Sequence, residues 1–429
     1  MSTRSSVLLA AILLAGSCAS AQTLDGRCAP SSRPSAELRA DLARALSGRD
    51  ETAIRETVAL AACHFADQPI ERPERYVRVE GNEPPLVREE ARALAGALFQ
   101  QLSTHAWWTT EDLAPGPLRV PAKFIENTLA LWRLTDDGTY LEAARTAGDY
   151  LVELQEELGS GGLGFPVPDP SSMRDEDRAG LSFLESARRR GVYDQIVRNG
   201  WIIDDTGDGG LNYDAGLVGE ALLSLHRATG DARYLNSALR TADWAASRPL
   251  VPNFNYNGFT AVLLARAAEV TGNPYYLDEA IVRIRLGVLS GQIKEGPRAG
   301  SWIDPHNGRL VYRFVMLGQL SRFINAMPTD HPDRAELRSA LLLGLLSAES
   351  QMRENGGIGN VESALGTYCA LGLAGMADPD FVNRNRDMER SLWIHVVRGL
   401  RQPTPVVNGE IGCIFDYAFG DGAPVASDG

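Results

Sequence analysis

Lysine is almost missing from this chain: two of its 42 basic residues are lysines, Lys123 and Lys294, and the others are arginines. Acidic residues number 55, which gives the 429-residue chain a formal net charge of −13. Proteins that bind nucleic acid usually present a basic face, so this balance argues against nucleic acid as a partner. A polyanionic partner would need a local arginine cluster or a bound cation to offset the overall field.

Long apolar runs are also missing beyond the N-terminus, so the sequence predicts no transmembrane segment. Residues 1–21 contain Arg4, a short apolar run and a small-residue end, and this combination predicts a cleaved secretory signal. A second interpretation is a lipoprotein anchored at Cys18, because the residues before it loosely resemble a lipobox. Both interpretations predict export to the periplasm or the outside of the cell. With residues 1–21 as the signal peptide, we expect residues 22–429 to form a single domain.

A helix-turn-helix phrase occurs three times, beginning at Thr135, Thr229 and Thr271. In each copy an apolar helix runs into the threonine, a cluster of Gly, Asp or Asn breaks the helix, and a Tyr-Leu pair starts the next one. Such a unit cannot bury its own apolar face and must stack on its neighbours. The repeats therefore predict an all-α protein, built as a helical array or a closed ring.

The spacing of the copies favours the ring. The first interval is 94 residues and the second is 42, so the first leaves room for a long insert between residues 157 and 212. Degenerate copies at 47–50, 328–332 and 377–381 bring the number of hairpins to six. This pattern resembles the (α/α)6 toroid, the six-hairpin superfamily of glycoside hydrolases and polysaccharide lyases. The resemblance implies an (α/α)6-type toroid, whole or incomplete, that acts on a polysaccharide or oligosaccharide.

The sequence contains no Cys-x-x-Cys motif and no Cys/His pair with the spacing of a zinc site. Four remain after cleavage of residues 1–21, and in an exported chain they allow two disulfides. We expect Cys28 to pair with Cys63 and Cys369 with Cys413, because each pair would join one end of the ring. Four buried thiols are the alternative.

The acidic stretch before the second repeat resembles half of a calcium site. Asp204, Thr206 and Asp208 place alternate side-chain oxygens before a glycine, as in a calcium loop, but the acid that closes such a loop is absent. One interpretation is therefore a calcium site at these three residues. A second is an acidic turn in which Asp214 caps the next helix. A third uses Asp204 or Asp205 as a general acid or base, as glycosidases use paired carboxylates.

A glycine-rich loop after the third repeat combines side chains that suit an acidic sugar. Trp302 offers a flat apolar face, Arg298, Arg309 and Arg313 can bind carboxylates, and His306 can carry a proton. The alternative is structural: a histidine that caps the next helix and arginines that pair with surface acids.

Polar and aromatic residues also recur where helices begin. Asn255 and Tyr256 open the helix of the third repeat, as Tyr213 does in the second, while Asn307 lies in the glycine-rich loop. These residues suit a ring of sugar contacts, and helix capping is the alternative for the asparagines.

The resemblance to toroid lyases implies β-elimination on a uronate-containing polymer. Arg309 or Arg313, with calcium at Asp204 and Asp208, would neutralise the carboxylate at C5, while His306 or Tyr256 would move protons. One alternative is a glycoside hydrolase that uses carboxylates such as Asp214, including a hydrolase of unsaturated uronyl residues. Another is a non-catalytic envelope protein that binds glycans or partner proteins.

Overall fold

The computed structural model is almost entirely helical. It describes residues 35–65, 86–109, 118–158, 165–166, 185, 188–189, 202–203, 210–303, 306–354, 368–375, 379–384, 386–402 and 411–419. Within these residues, one short antiparallel pair joins β1 (Phe165–Pro166) to β2 (Ile202–Ile203). No helix in this part of the chain is long and apolar enough to cross a membrane.

The helices have these bounds: α1 Ser35–Ser47, α2 Glu51–Phe65, α3 Arg88–Ser103, α4 Arg119–Thr135, α5 Gly138–Leu158, α6 Gly210–Thr229, α7 Ala232–Ser247, α8 Phe254–Thr271, α9 Pro274–Val282, α10 Leu310–Ala326, α11 Arg334–Glu354, α12 368–375, α13 Pro379–Arg384, α14 Arg386–Leu400 and α15 Ile411–Phe419. One π-helical turn, Arg283–Val288, extends α9, and a 3-10 turn, Leu289–Gly291, follows it.

Six of the described helices form a closed inner ring. Helix α4 packs against α6, α6 against α8, α8 against α10, and α15 closes the ring against α4. Helix α12 lies between α10 and α15: Asn325 donates to the Leu373 carbonyl at 3.3 Å, and the rings of Tyr368 and Tyr417 are 5.2 Å apart. Helices α8 and α10 are buried around most of their circumference, as their place inside the ring requires.

Outer helices cover the ring, and most of them directly follow their inner partners. Helix α7 shows the expected pattern, since its buried Tyr234, Ala238, Ala242 and Ala245 share one face. The sixth outer helix is α3, from the other end of the chain. It bonds α15 and the end of α4, through Arg88 to the Phe419 carbonyl and through Arg92 to the Leu134 carbonyl. Within the described residues the toroid thus has six inner helices, each with an outer partner, and the last inner helix, α15, pairs with the first outer helix, α3.

The repeated threonine ends each inner helix in the same way. The hydroxyls of Thr135, Thr229 and Thr271 each donate to the carbonyl four residues earlier, at 2.6 to 2.8 Å. Each hydroxyl also accepts the backbone N–H two residues later, at 3.2 Å. The second bond satisfies a backbone N–H that the start of the next helix leaves unpaired. The threonine is therefore part of the turn itself.

The next two residues of the phrase complete the turn. The first is left-handed, with φ of 62° at Asp136, 71° at Gly230 and 68° at Gly272, a region that favours Gly, Asn and Asp. The second caps the following helix, because its side-chain oxygen accepts the backbone N–H two residues later at 2.8 to 3.1 Å. The prediction of stacked hairpins from this phrase is confirmed.

The degenerate copies have mixed outcomes. The copy at 328–332 joins α10 to α11, as predicted. The copy at 377–381 includes the first residues of α13, from Pro379 onward, and 376–378 are outside the described residues. The turn at 47–50 joins α1 to α2, but this hairpin lies outside the closed ring. The sixth pair is instead α15 with α3, which no local pattern could reveal because the two helices come from opposite ends of the chain.

One predicted disulfide is present. Cys369 of α12 is bonded to Cys413 of α15, 44 residues along the chain, so the bridge joins neighbouring inner helices beside the seam with α4. Cys63 is also disulfide-bonded. Its expected partner, Cys28, lies outside the described residues.

Candidate active site

The inner helices α4, α6 and α8 begin side by side at one end of the toroid, which we call the N-terminal mouth. Arg119, the first residue of α4, donates from its backbone N–H and its Nε to Oδ1 of Asp214 on α6, at 3.1 and 2.9 Å. Its guanidinium lies 4.3 Å from the centre of the Tyr213 ring, and that ring lies 5.7 Å from the ring of Tyr256 on α8. Four polar or aromatic side chains thus form one continuous group.

Asp214 is a strongly perturbed carboxyl group at this mouth. Its side chain is fully buried, and Nη2 of Arg119 also contacts its second oxygen at 3.3 Å. Burial raises the pKa of Asp214 to about 6, although the adjacent guanidinium favours the charged form. A carboxyl with such a pKa exchanges its proton closer to neutral pH than an ordinary aspartate does.

A cavity of ≈ 420 Å³ lies beside this group, between the N-terminal mouth and the α1–α2 hairpin. Its polar lining consists of Arg39, Asn253, Tyr256, His306 and Asn307. The volume falls in the lower part of the range of ligand sites, roughly 300 to 1,000 Å³. The structure therefore brings the predicted residues Tyr256, His306 and Asn307 together on one cavity.

The turn before α10 positions His306. The backbone N–H of Arg309 donates to the His306 carbonyl at 3.2 Å, and α10 begins at the next residue. The His306 ring lies 4.3 Å from the ring of Tyr312, in the first turn of α10, and the Arg309 guanidinium lies 5.0 Å from the same tyrosine ring. Tyr312 thus holds the imidazole and the guanidinium of Arg309 near each other.

Asn255 does not line the cavity but bonds two residues that do. It is buried, and its Nδ2 donates to Oδ1 of Asn307 at 2.9 Å and to Oδ1 of Asn253 at 2.7 Å. Both acceptors line the cavity, so Asn255 links the start of α8 to the loop before α10. Its place is that of a positioning residue.

The predicted residues Tyr213 and Arg309 do not line the cavity, although each lies near a residue that does. Three further predicted residues lie away from it. Trp302 is fully buried, and its indole N–H donates to the Val288 carbonyl at 2.9 Å, because the loop folds back on itself and packs the ring into the core. Arg298 donates to the Trp302 carbonyl at 3.0 Å. Arg313 is 2% exposed and donates to Ser347 of α11 at 2.9 Å. In this structure they fasten the loop and α10 to the fold and present no surface to the cavity.

The predicted calcium ligands Asp204, Thr206 and Asp208 lie outside the described residues, as does Asp205. Among the residues that the structure does describe, no group of three or more His, Cys, Asp or Glu side chains is arranged to hold a metal ion. Calcium binding at 204–208 therefore stays a prediction.

Sequence reasoning missed Arg119 and Arg39. Helix α4 begins at Arg119, and Asn127, two turns inside it, accepts the backbone N–H of Gly412 at 2.7 Å. Pro121 in the first turn was the available signal, since proline is tolerated at the start of a helix. No local signal marks Arg39, whose position depends on how a separate hairpin docks.

No family model matches the chain, and no curated protein matches it. Solved structures do. A glycosyl hydrolase of family 88 from Bacteroides vulgatus is 11% identical with a TM-score of 0.51, over 77% of this chain and 97% of that one. A polysaccharide lyase is 12% identical with a TM-score of 0.49, over 76% of this chain and 95% of that one. An unsaturated glucuronyl hydrolase from Streptococcus agalactiae is 12% identical with a TM-score of 0.46, over 78% of this chain and 86% of that one. At 11% identity the likeness to the family 88 structure concerns the fold alone, and together with the helix packing described above it confirms the predicted six-hairpin toroid.

Proposed function

We propose that this chain is a carbohydrate-active enzyme that cleaves a uronate-containing polymer by β-elimination in the cavity at the N-terminal mouth. The observation that carries the proposal is that His306 and Tyr256, from separate segments of the chain, line the same cavity. The shared fold with a glycosyl hydrolase supports carbohydrate as the substrate class, by analogy of fold.

The proposed reaction needs one base and one acid. The imidazole of His306 takes the proton from C5 of the uronate, and the electron pair of that C–H bond forms the C4–C5 double bond. The bond from C4 to the glycosidic oxygen breaks, and the hydroxyl of Tyr256 gives its proton to the leaving oxygen. Solvent then returns a proton to the tyrosine and accepts one from the histidine.

Arg309 suits the neutralising role better than Arg313 does. Arg309 does not itself line the cavity, but it lies beside His306 through their shared contact with Tyr312, whereas Arg313 is buried against Ser347. A guanidinium near the C5 carboxylate would stabilise the negative charge that develops as the proton leaves. Calcium at Asp204 and Asp208 would contribute in the same sense if the ion binds.

Hydrolysis is the second candidate, and Asp214 is the observation that favours it. Glycosidases use a general acid whose pKa is raised, and burial raises the pKa of Asp214 to about 6 at the same mouth. Both oxygens of Asp214, however, contact Arg119, and its side chain has no exposed surface. A sugar could reach this carboxyl only after the ion pair opened, so elimination comes first.

We also propose that the protein is exported. The disulfide between Cys369 and Cys413 supports this, because such bonds persist mainly in oxidising compartments. A polymeric substrate outside the cytoplasm would fit that location. Fractionation of cells that produce the full chain, with and without residues 1–21, tests the proposal: loss of export on removing these residues supports it.

Kinetics on pectate, alginate and glucuronan test the assigned roles. His306→Ala and Tyr256→Phe should each lower kcat by about 10²- to 10⁴-fold, the usual contribution of an acid or base. The matched controls are His105→Ala and Tyr275→Phe, which change exposed residues of the same types away from the cavity. Melting curves establish that each variant folds.

The outcomes separate the candidates. Full activity in either cavity variant would remove that residue from the mechanism. If the wild-type protein produces neither double bonds nor new reducing ends from any polymer but still binds one, the non-catalytic glycan-binding protein replaces the enzyme.

A further inference from the structure

The α1–α2 hairpin lies outside the ring, yet it forms one wall of the cavity. Leu38 and Leu42 of α1 and Ala61 and Phe65 of α2 give this wall an apolar surface. The opposite side comes from the ring, through the start of α8 and the loop before α10. The cavity therefore exists only because the hairpin is docked there.

Polar contacts at both ends of α2 hold the hairpin in place. Arg49, in the turn before α2, makes two hydrogen bonds to the Glu279 carboxylate of α9, at 2.9 and 2.7 Å. At the other end, Arg298 donates to the Phe65 carbonyl at 3.3 Å. These contacts fix the hairpin against the ring and so fix the position of the residues that α1 presents to the cavity.

Arg39 is one of those residues, and its charge distinguishes it. The other polar residues lining the cavity are two asparagines, a tyrosine and a histidine, so Arg39 alone among the described lining residues carries a permanent charge. It is exposed, and none of the described residues forms a hydrogen bond or ion pair with it. An arginine in this state keeps its full fork of donors for a ligand.

We infer that Arg39 binds a carboxylate of the substrate and makes the cavity selective for acidic over neutral saccharides. A guanidinium and a carboxylate form paired, charge-assisted hydrogen bonds, which are roughly twice as strong as neutral ones. In a chain with a net charge of −13, such a cation also offsets the overall repulsion of an acidic sugar. The inference rests on the proposed function and narrows its substrate class through a residue outside the toroid itself.

Calorimetric titration with defined tetrasaccharides tests this inference. The probes are tetramers of galacturonate, mannuronate and glucuronate, each paired with its carboxyl-reduced counterpart. For the acidic tetramer that the wild-type protein binds most tightly, Arg39→Gln should raise Kd about tenfold or more, as expected for loss of a charged hydrogen bond. Its Kd for the reduced counterpart should stay at the wild-type value.

Two further variants isolate the role of the guanidinium. Arg39→Lys should recover part of the lost affinity, because lysine keeps the charge without the fork. Arg55→Gln removes the same charge from an exposed position on α2 that does not line the cavity, and it should bind as the wild-type protein does. Unchanged melting temperatures establish that the wall is intact in all three.

Each remaining outcome overturns a specific statement. Equal losses for acidic and reduced tetramers, or no loss in Arg39→Gln, would refute the carboxylate contact while the proposed function stands. A wild-type protein that binds reduced tetramers more tightly than acidic ones would refute the selectivity. If the wild-type protein neither binds nor cleaves any tetramer, the proposed function fails and this inference fails with it.

Discussion

Removing the bridge between Cys369 and Cys413 should destabilise the ring by a predictable amount. The bridge closes a loop of 44 residues between neighbouring inner helices. In the chain-entropy description, a loop of this size constrains the unfolded state by roughly 4 kcal/mol at 25 °C. With an unfolding entropy near 2.1 cal/mol/K per residue, that free energy lowers Tm by about 5 °C in a chain of about 400 residues.

Three variants measure this effect by differential scanning calorimetry: Cys369→Ala, Cys413→Ala and the double variant. Because either single change breaks the whole bridge, each should lose most of the stability that the double variant loses. Truncating two unbonded side chains would instead give losses that add. Cys63 is also disulfide-bonded, so substitution is a cleaner test than a reducing agent.

Two results would refute the reasoning. Additive losses would mean that the two sulfurs contribute through packing alone. An unchanged Tm in both single variants would mean that the bridge does not restrain α15 against α12. Mass spectrometry of the intact wild-type protein, with free thiols alkylated, provides the control that the bond is formed.

Three further predictions concern packing, titration and metal binding. Gly216→Ala should lower the free energy of unfolding by about 1 to 3 kcal/mol, because a Cβ there would lie 2.5 Å from the Phe259 backbone. At Gly96 a Cβ meets open space, so Gly96→Ala should be neutral or stabilising. Urea denaturation measures both variants. Burial raises the pKa of Glu126, so its contribution to stability is present at low pH and lost as the pH rises through the folded pKa. The Tm of Glu126→Gln relative to that of the wild-type protein should therefore increase from about pH 4 to about pH 8. A constant difference in Tm would contradict this. If the 204–214 loop binds calcium, an ion at 100 times its Kd adds roughly 2.7 kcal/mol, so a chelator should lower Tm, and no change with chelator or added calcium would count against the site.

The turns of the fold could be predicted because their chemistry is local. The threonine, the left-handed residue and the capping residue of each copy lie within three positions, so one phrase determines the end of one helix and the start of the next. The sixth pair, α15 with α3, could not be predicted in this way. It depends on contacts between opposite ends of the chain, such as that of Arg88 with the Phe419 carbonyl.

The candidate site likewise combines residues that local sequence could reveal with residues whose position depends on distant contacts. His306 and Tyr256 stood out as chemically capable residues beside helix starts, and the helix starts of a toroid meet at one end. Trp302 stood out for the same reason, but the way its loop folds back buries the indole, and residue type does not encode this. Arg39 has no distinguishing neighbours in sequence, and its place on the cavity follows from the docking of the α1–α2 hairpin.

The most direct test of the central claim is the ratio of new double bonds to new reducing ends as the protein cuts a uronate polymer. Elimination creates one C4–C5 double bond, conjugated with the carboxylate, for each reducing end, so ultraviolet absorbance and reducing sugar should rise together in equal amounts. We predict this equality for the wild-type protein and the loss of both signals in His306→Ala. Reducing ends without absorbance, or consumption of absorbance from an unsaturated oligosaccharide, would contradict elimination and establish hydrolysis.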